Sequence, residues 1–487
     1  MTYGQLKKNI SENLTWLKMR SDEIDRTGRL PDDVLAWLIE HGLFKLFVPK
    51  ALGGHALTLE EALRLVMLVA EADGSVAWQV QIGSGGGYFV PSFTPSVAEA
   101  IFSPQHAVIA GSGYVGGFAY PVPGGYRVSG YWRYASGAQY ATTFTANAFL
   151  LEGIPDVEVR ILKLKEVFSA IRRDDVALRG DAVLNTSKSV REGNFTSFHA
   201  LLRELQEEMQ GQTAIRAFAF TREAVETFSD WQGVGMRGTS SEAMIVRDVF
   251  VPQERSFVVG DTISTLYAEP LIRVPFVSFA EASIGAVVIG LAQALAEEIS
   301  RLLTEKTLSG EEVHRHAALQ DAVSSARHMK LIFLQSVREL WEQFVIVPSA
   351  HETAKAWNVR GDETSGKDTI PGSGGAEKSN ATGYIGSGAE ESSGRGYVGR
   401  GAEKNGGGSD YIARDDDFGR EDTLNSREDA EQVVGMFSWT VRHAVRTLRQ
   451  KAWEVFPYLG MRALDERSRL NRIMRDMETA AHHVMLL

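Results

Sequence analysis

The chain has 487 residues, of which 51 are Lys or Arg and 62 are Asp or Glu, so its formal net charge is −11. This length suits about three structural units with a large buried core, and the negative charge argues against nucleic acid held through its phosphates. The sequence contains no cysteine, which excludes disulfides, thiolate metal sites and cysteine nucleophiles. A reducing, cytoplasmic location is expected, and no metal site is predicted.

No targeting or membrane-spanning segment is predicted. The first residues are polar and charged and lack the apolar core of a secretory signal. The most apolar stretch, Ala282 to Ala296, is shorter than 18 residues and rich in small side chains. That length and composition favour a helix buried in the protein over a membrane span.

Residues 1 to 105 show the spacing of helices. Pro31 and two acids mark the start of one helix, and Gly42 stands where a glycine would cap its end. Thr58 and Glu61 form the pattern of a capping box before the next helix. These signals predict an N-terminal α-helical domain.

In residues 106 to 258 the apolar residues recur with a period of two, and glycine and aromatic residues are closely spaced. This pattern is typical of short β-strands. Gly124-Gly125 is a plausible turn between two of them. Residues 157 to 212 interrupt this rhythm, and Ser197 to Met209 has the apolar face of an amphipathic helix. We expect a central, barrel-like β domain with a helical insertion of unassigned role.

Helical spacing returns in residues 259 to 487. Four long helices are predicted, which suggests a C-terminal four-helix bundle: Ala282 to Ser300, Gln320 to Phe344, Ala430 to Trp453 and Ser468 to Leu487. A second insertion covers about 350 to 425. Within it, residues 361 to 410 hold 15 of the 47 glycines and three aliphatic residues, too few to form a core, so a disordered loop is predicted.

Several local stretches carry a resemblance to a known family. Together with the order of the three domains, they resemble the acyl-CoA dehydrogenase superfamily: Leu46 to Gly54, Glu71 to Trp78, Gly125 to Gly137, Gly235 to Ser241 with Val249 to Pro252, and Leu470 to His483. The resemblance covers most of the chain outside the two insertions. It implies an α+β, acyl-CoA dehydrogenase-like fold, a bound flavin and a homotetramer.

The closing segment separates two branches of this superfamily. Dehydrogenases need a carboxylate base, which in the common members lies eight residues beyond an Arg-Asp pair; here that position is Val484, which cannot take a proton. One dehydrogenase class carries its base on another bundle helix, so that branch stays open. His483 matches the catalytic histidine of the dibenzothiophene-type monooxygenases. Alternatively, His482 and His483 simply end a helix.

The resemblance also implies a set of flavin-binding residues. Ser136, followed by Gly137, lies where monooxygenases place a serine hydroxyl against flavin N5, although an ordinary turn serine fits the pattern too. Trp132 and Tyr134 belong to the same stretch, and Trp132 is either a core residue or a wall of the flavin pocket. In a later turn, Arg237 and Thr239 would face flavin phosphate or a neighbouring subunit; a surface arginine without a ligand fits equally.

The sequence therefore predicts a flavin-dependent monooxygenase that takes reduced FMN or FAD from a separate NAD(P)H:flavin reductase and oxygenates a small organic molecule. The reductase is inferred because no strand–loop–helix unit carries a G-x-G-x-x-G fingerprint. The alternatives are an acyl-CoA dehydrogenase or related flavin oxidase, and a catalytically silent scaffold. The glycine run from Gly83 to Gly87 lacks the residues of a phosphate loop, and instead suggests close packing or a substrate cavity.

Overall fold

The structure is a computed structural model that describes residues 1–153, 156–169, 198–204, 207, 214–304, 312–346 and 418–487. The glycine-rich segment 361–410, predicted from the sequence to be a disordered loop, lies outside the described residues. Much of the first insertion lies outside them as well.

Five helices form the N-terminal part of the structure: α1 Tyr3–Thr27, α2 Asp32–Glu40, α3 Leu59–Ala70, α4 Gly74–Gly85 and α5 Pro95–Phe102. The predicted capping box is present. The Thr58 hydroxyl accepts a hydrogen bond from the Glu61 backbone N–H, and the Glu61 carboxylate accepts one from the Thr58 backbone N–H. Gly42 follows α2 with a φ of +62°, in the left-handed region that glycine adopts at low cost. Helix α4 is buried on nearly all sides, so it runs through the interior of the molecule.

The central part is a seven-stranded sheet in the order β5-β6-β2-β1-β3-β4-β7. The strands are β1 Ile109–Val122, β2 Gly125–Ala135, β3 Thr143–Leu150, β4 Ala214–Thr221, β5 Glu226–Phe228, β6 Glu242–Pro252 and β7 Ser256–Phe257. All neighbouring strands are antiparallel except β1 and β3. Gly124, with a φ of +85°, makes the predicted turn between β1 and β2.

The two faces of the sheet have different coverings. Trp132 and Phe220 belong to a core on one face, whereas the preceding residue of β2, Tyr131, belongs to a second core on the other. Part of the first insertion forms this second core: α6, Val157–Ser169, and the helical residues 198–204 pack against the sheet. The sequence predicted the second helical segment and missed α6; the insertion thus covers an otherwise exposed sheet face.

Four long helices follow: α7 Phe276–Thr304, α8 Glu312–Trp341, α9 Phe418–Val455 and α10 Arg469–Ala481. Helix α7 contacts the other three. It is long and apolar enough to cross a membrane, but 89% of its most apolar 18-residue window is buried within the fold, as the sequence predicted for Ala282 to Ala296. The architecture is therefore the predicted combination of helical, sheet and helical parts.

The closing helix is shorter than the sequence predicted. Helix α10 ends at Ala481, and a separate short turn spans Val484–Leu486, so His483 lies between them with an extended backbone. The Nδ1 atom of His483 accepts the Met485 backbone N–H at 3.3 Å. This local side-chain bond replaces a further helical turn.

Candidate active site

The register of the sheet brings two separated serines together. Strands β2 and β6 are antiparallel, and Ala135 pairs with Glu242 at their ends. Ser136 follows the first strand and Ser241 precedes the second, so their side chains meet with their Oγ atoms 2.7 Å apart. Strand register, rather than sequence proximity, therefore builds the centre of the candidate site.

These serines belong to a row of buried hydroxyl groups. The indole N–H of Trp78 donates to Ser136 Oγ at 3.0 Å, and Ser136 Oγ contacts Ser241 Oγ. Ser241 Oγ lies 2.7 Å from Thr239 Oγ1, which in turn donates to the Met236 carbonyl oxygen at 2.9 Å. Each of the four side chains is at most 9% exposed. A continuous hydrogen-bonded row therefore runs from helix α4 to the turn before β6.

The turn that carries Thr239 has an unusual backbone. Met236 and Ser240 have φ values of +52° and +45°, a region that non-glycine residues rarely occupy. Asp476 Oδ1 accepts the Met236 N–H at 2.6 Å, and a Cβ on Gly235 would lie 2.1 Å from the Arg475 carbonyl oxygen. Close contact with helix α10 thus holds the turn in a strained conformation, as is common where a fold supports function.

Trp78 connects the predicted catalytic residues, a role that sequence reasoning missed. Besides donating to Ser136, its ring lies beside that of His483, with centroids 5.7 Å apart. Helix α4 is fixed at its start by Asp73, whose Oδ1 accepts the Val76 N–H at 2.9 Å. In the sequence, Trp78 stands out only as the last residue of the stretch from Glu71 that carries the family resemblance, and its burial in α4 becomes evident in the structure.

His483 is half-buried in this arrangement. Desolvation lowers its pKa to about 4, so the ring is neutral at physiological pH. Because Nδ1 accepts the Met485 N–H, the single ring proton of the neutral form lies on Nε2. His483 can therefore offer a hydrogen-bond donor to a ligand at neutral pH.

Arg475 and Asp476, which are adjacent on α10, bind different partners. Arg475 makes a two-pronged ion pair with Asp25 of α1, at 3.1 and 2.8 Å. Asp476 points inward to the Met236 N–H, and burial together with the charge of Asp73 raises its pKa to about 7. Both residues thus hold helix α10 to neighbouring elements.

The other predicted flavin residues of β2 lie in different environments. Trp132 is fully buried in the sheet core and its indole N–H donates to the Asn147 carbonyl at 2.9 Å, which fits the core alternative. Tyr134 is 53% exposed with a φ of +67°, and its ring lies 6.0 Å from that of Trp231. Their assignment to a flavin pocket stays a prediction.

Gly137 and Thr239 are joined directly, since the Gly137 N–H donates to the Thr239 carbonyl at 3.0 Å. Gly137 has a φ of +82°, and a Cβ there would lie 3.0 Å from Gln79 Oε1. The backbone conformation therefore favours glycine at this position, whereas the space around a Cβ would need only a small shift of the flexible Gln79 side chain.

Arg237 lies on the outer side of the same turn. It pairs with Glu466 at 2.6 Å and with Asp25 at 3.7 Å. With Trp231 and the end of α1 it lines a cavity of about 350 Å³. Its two carboxylate partners satisfy its charge, so a contact with flavin phosphate stays a prediction.

The glycine run from Gly83 to Gly87, which includes the end of α4, serves close packing. A Cβ at Gly83 would lie 2.5 Å from Phe44 Cδ1, and one at Gly86 would lie 2.6 Å from Ile109 Cγ1. Of the two explanations that the sequence left open, packing accounts for these glycines, because any larger side chain would collide with the core.

The residues around Ser136 leave hydrogen-bonding capacity for a ligand. Ser136 Oγ accepts one bond from Trp78, and it keeps a second lone pair when its own proton goes to Ser241 Oγ, 2.7 Å away. Gln81, which lies one helical turn after Trp78 on α4, is 6% exposed, and its Oε1 atom finds no hydrogen-bond partner among the described residues. Unused acceptors in a buried region fit a cofactor that carries N–H groups, as flavin does.

The described residues give little support for a dehydrogenase base. Val484 is 48% exposed and aliphatic. On another bundle helix, α7, the carboxylate of Glu281 is fully buried, but Ser438 donates to one oxygen and Arg442 donates two bonds to the other. A carboxylate held in this way serves to join α7 to α9.

Comparison with known proteins identifies relatives. Residues 15–93 match the family model of the acyl-CoA dehydrogenase N-terminal domain. Indole-3-acetate monooxygenase of Pseudomonas putida is 24% identical over 331 residues, which cover 67% of this chain and 70% of that protein. HsaA of Rhodococcus jostii, the oxygenase subunit of a flavin-dependent monooxygenase, is 25% identical over 286 residues, which cover 57% of this chain and 60% of that protein.

Solved structures show the same fold. The HsaA monooxygenase of M. tuberculosis superposes with a TM-score of 0.64 at 16% identity, covering 99% of this chain and 93% of that one. XiaF from Streptomyces sp., in complex with FADH2 and glycerol, superposes with a TM-score of 0.62 at 16% identity, covering 99% of this chain and 92% of that one. Residues 15–93 thus match the acyl-CoA dehydrogenase N-terminal domain, the chain has an acyl-CoA dehydrogenase-like fold, and flavin-dependent monooxygenases are among its relatives.

Proposed function

We propose that this chain is the oxygenase component of a flavin-dependent monooxygenase, which receives reduced FMN or FAD from a separate NAD(P)H:flavin reductase. Its substrates would be dioxygen and a small organic molecule. When bound, the reduced flavin supplies the electrons that activate dioxygen, so that one oxygen atom enters the substrate and the other leaves as water. The relatives named above support this reaction class.

One observation carries the proposal: Trp78 joins Ser136 to His483, the two residues predicted to be catalytic. Ser136 would hold the flavin through its free lone pair, and Gly137 and Thr239 would shape the backbone around it. Neutral His483 would orient the substrate through its Nε2–H and exchange a proton there. Tyr134 and Arg237 are proposed to border the cofactor.

Assembly and location form a second part of the proposal. We place the enzyme in the cytoplasm as a homotetramer, as the family resemblance implies. Large apolar side chains on α8 and α9 support self-association, because Leu331 is 66% exposed and Met436 and Trp439 are each 56% exposed. Light scattering tests the assembly, and a monomer at working concentration would contradict it.

The function is tested by anaerobic titration with FMNH2, FADH2 and their oxidised forms. We expect tight binding of a reduced flavin and weak binding of the oxidised one. A coupled assay with a flavin reductase, isotope-labelled dioxygen and a panel of aromatic acids and phenols should then yield a product that carries the label.

The alternatives give different results in the same experiments. Tightly bound FAD that is bleached anaerobically by an acyl-CoA would place the protein among the dehydrogenases. Absence of binding by either redox form of FMN and FAD would indicate a catalytically silent scaffold.

A further inference from the structure

The row of hydroxyl groups beside Ser136 has a fixed direction. It contains four contacts: Trp78 to Ser136, Ser136 to Ser241, Ser241 to Thr239, and Thr239 to the Met236 carbonyl oxygen. The indole N–H can only donate, and the carbonyl can only accept. Only one arrangement places a proton in every contact.

In that arrangement each hydroxyl donates toward Met236. Thr239 gives its proton to the carbonyl, so Ser241 must donate to Thr239, and Ser136 must donate to Ser241. The Met236 carbonyl also accepts the Trp231 indole N–H at 2.8 Å and the Thr239 backbone N–H at 3.2 Å, so the reverse order would not leave it without a donor. It would, however, place the lone pairs of Thr239 Oγ1 and of the carbonyl oxygen 2.9 Å apart with no proton between them, which is repulsive. Thr239 and Ser241 are 1% and 5% exposed, so the surrounding protein offers little water to compensate.

The consequence for Ser136 is specific. Its only proton is committed to Ser241 and one of its lone pairs to Trp78, so toward any further ligand Ser136 Oγ is an acceptor alone. Reduced flavin has an N–H at N5, whereas oxidised flavin has a bare nitrogen that accepts hydrogen bonds. An acceptor-only Ser136 can therefore accept a hydrogen bond from the N5–H of reduced flavin, whereas the bare N5 of oxidised flavin would face it with a lone pair and be repelled.

We infer that Thr239, Ser241 and Trp78 are positioning residues that make the site selective for reduced flavin by fixing Ser136 as a hydrogen-bond acceptor. This inference rests on the proposed function. It assigns to Thr239 a role through Ser136, which differs from the direct contact with flavin that the sequence suggested.

The test uses Thr239→Val, which keeps the branched shape of the side chain and removes its hydroxyl. Without the terminal link, the Ser241 proton can turn to Ser136, and Ser136 can then donate to oxidised flavin. We expect the ratio of the dissociation constants of oxidised and reduced flavin to fall about five- to tenfold, the range for one hydrogen bond. Thr239→Ser, which restores the hydroxyl, should recover the parent ratio.

The measurement is anaerobic equilibrium binding of FMN and FMNH2, and of FAD and FADH2, to the full chain, with no substrate or turnover. Ser92→Ala is the matched control, because Ser92 is a fully buried serine whose hydroxyl bonds the Asp261 carbonyl at 2.7 Å, outside this row. It should leave the ratio unchanged. Melting curves establish that each variant is folded.

Two results would overturn the inference, and they differ in what else they refute. If the parent prefers reduced flavin and folded Thr239→Val keeps the same ratio, the direction of the hydroxyl row is irrelevant, and the proposed function stands. If the parent itself binds both redox forms equally or binds neither, the selectivity does not exist, and the proposed function fails with it.

Discussion

Ser136→Ala tests the centre of the site through both stability and chemistry. The substitution removes the acceptor of the Trp78 indole N–H, which lies 3.0 Å away, and the partner of Ser241, which lies 2.7 Å away. The serine hydroxyls can rotate toward other acceptors, but the indole N–H is fixed by its ring. A buried donor without a partner costs about 1 to 3 kcal/mol.

This cost should appear as a lower melting temperature, by on the order of a few degrees for a protein of this size. Ser92→Ala removes an equally buried hydroxyl that donates a single bond to a carbonyl, so it separates a general loss of a buried serine from the loss of the Trp78 acceptor. We expect the Ser136 variant to be the less stable of the two.

The chemical result is measured as hydrogen peroxide and oxygenated product formed per NADH consumed, once a substrate is in hand. Loss of the flavin contact proposed for Ser136 should raise the peroxide share and lower the product share. If Ser136→Ala melts like the control and remains as well coupled as the parent, both the bond to Trp78 and the proposed contact are without consequence, and the reasoning fails.

His483→Ala should lower the oxygenation rate about 10²- to 10⁴-fold, which is the usual effect of losing a general acid or base. It should leave reduced-flavin binding unchanged in the titration. Unchanged product formation would show that His483 has no part in the mechanism. In the parent, rate against pH should show no inflection near 6.5 from His483, because its pKa is about 4. For Asp476, a raised pKa means that the folded state keeps a proton which the unfolded chain releases, so stability should fall as pH rises from about 4 to about 7. Asp476→Asn, which can still accept the Met236 N–H, should flatten that part of the stability profile in denaturant titrations, and an equally steep profile would contradict the assignment. Gly137→Ala should destabilise the fold by about 1 to 2 kcal/mol because of its left-handed backbone, and a variant as stable as the parent would show that the turn relaxes.

The sequence by itself determined most of the architecture, because the signals involved are local. The capping box of Thr58 and Glu61, the glycine after α2 and the turn at Gly124 depend on residues a few positions apart. The change from helical spacing to a period of two and back again follows from which side chains face a core. Helix α6 escaped prediction because its apolar residues are explained only by the sheet face that they cover.

The tertiary structure alone decided how the candidate site is assembled. Ser136 and Ser241 are 105 positions apart and meet because of the register between β2 and β6, while Trp78 reaches Ser136 from a helix 58 positions earlier. The low pKa of His483 arises from desolvation in the folded protein, where its ring lies beside that of Trp78, and the pairing of Arg475 with Asp25 spans 450 positions. Such contacts depend on how whole elements pack, and no short stretch of sequence encodes that packing.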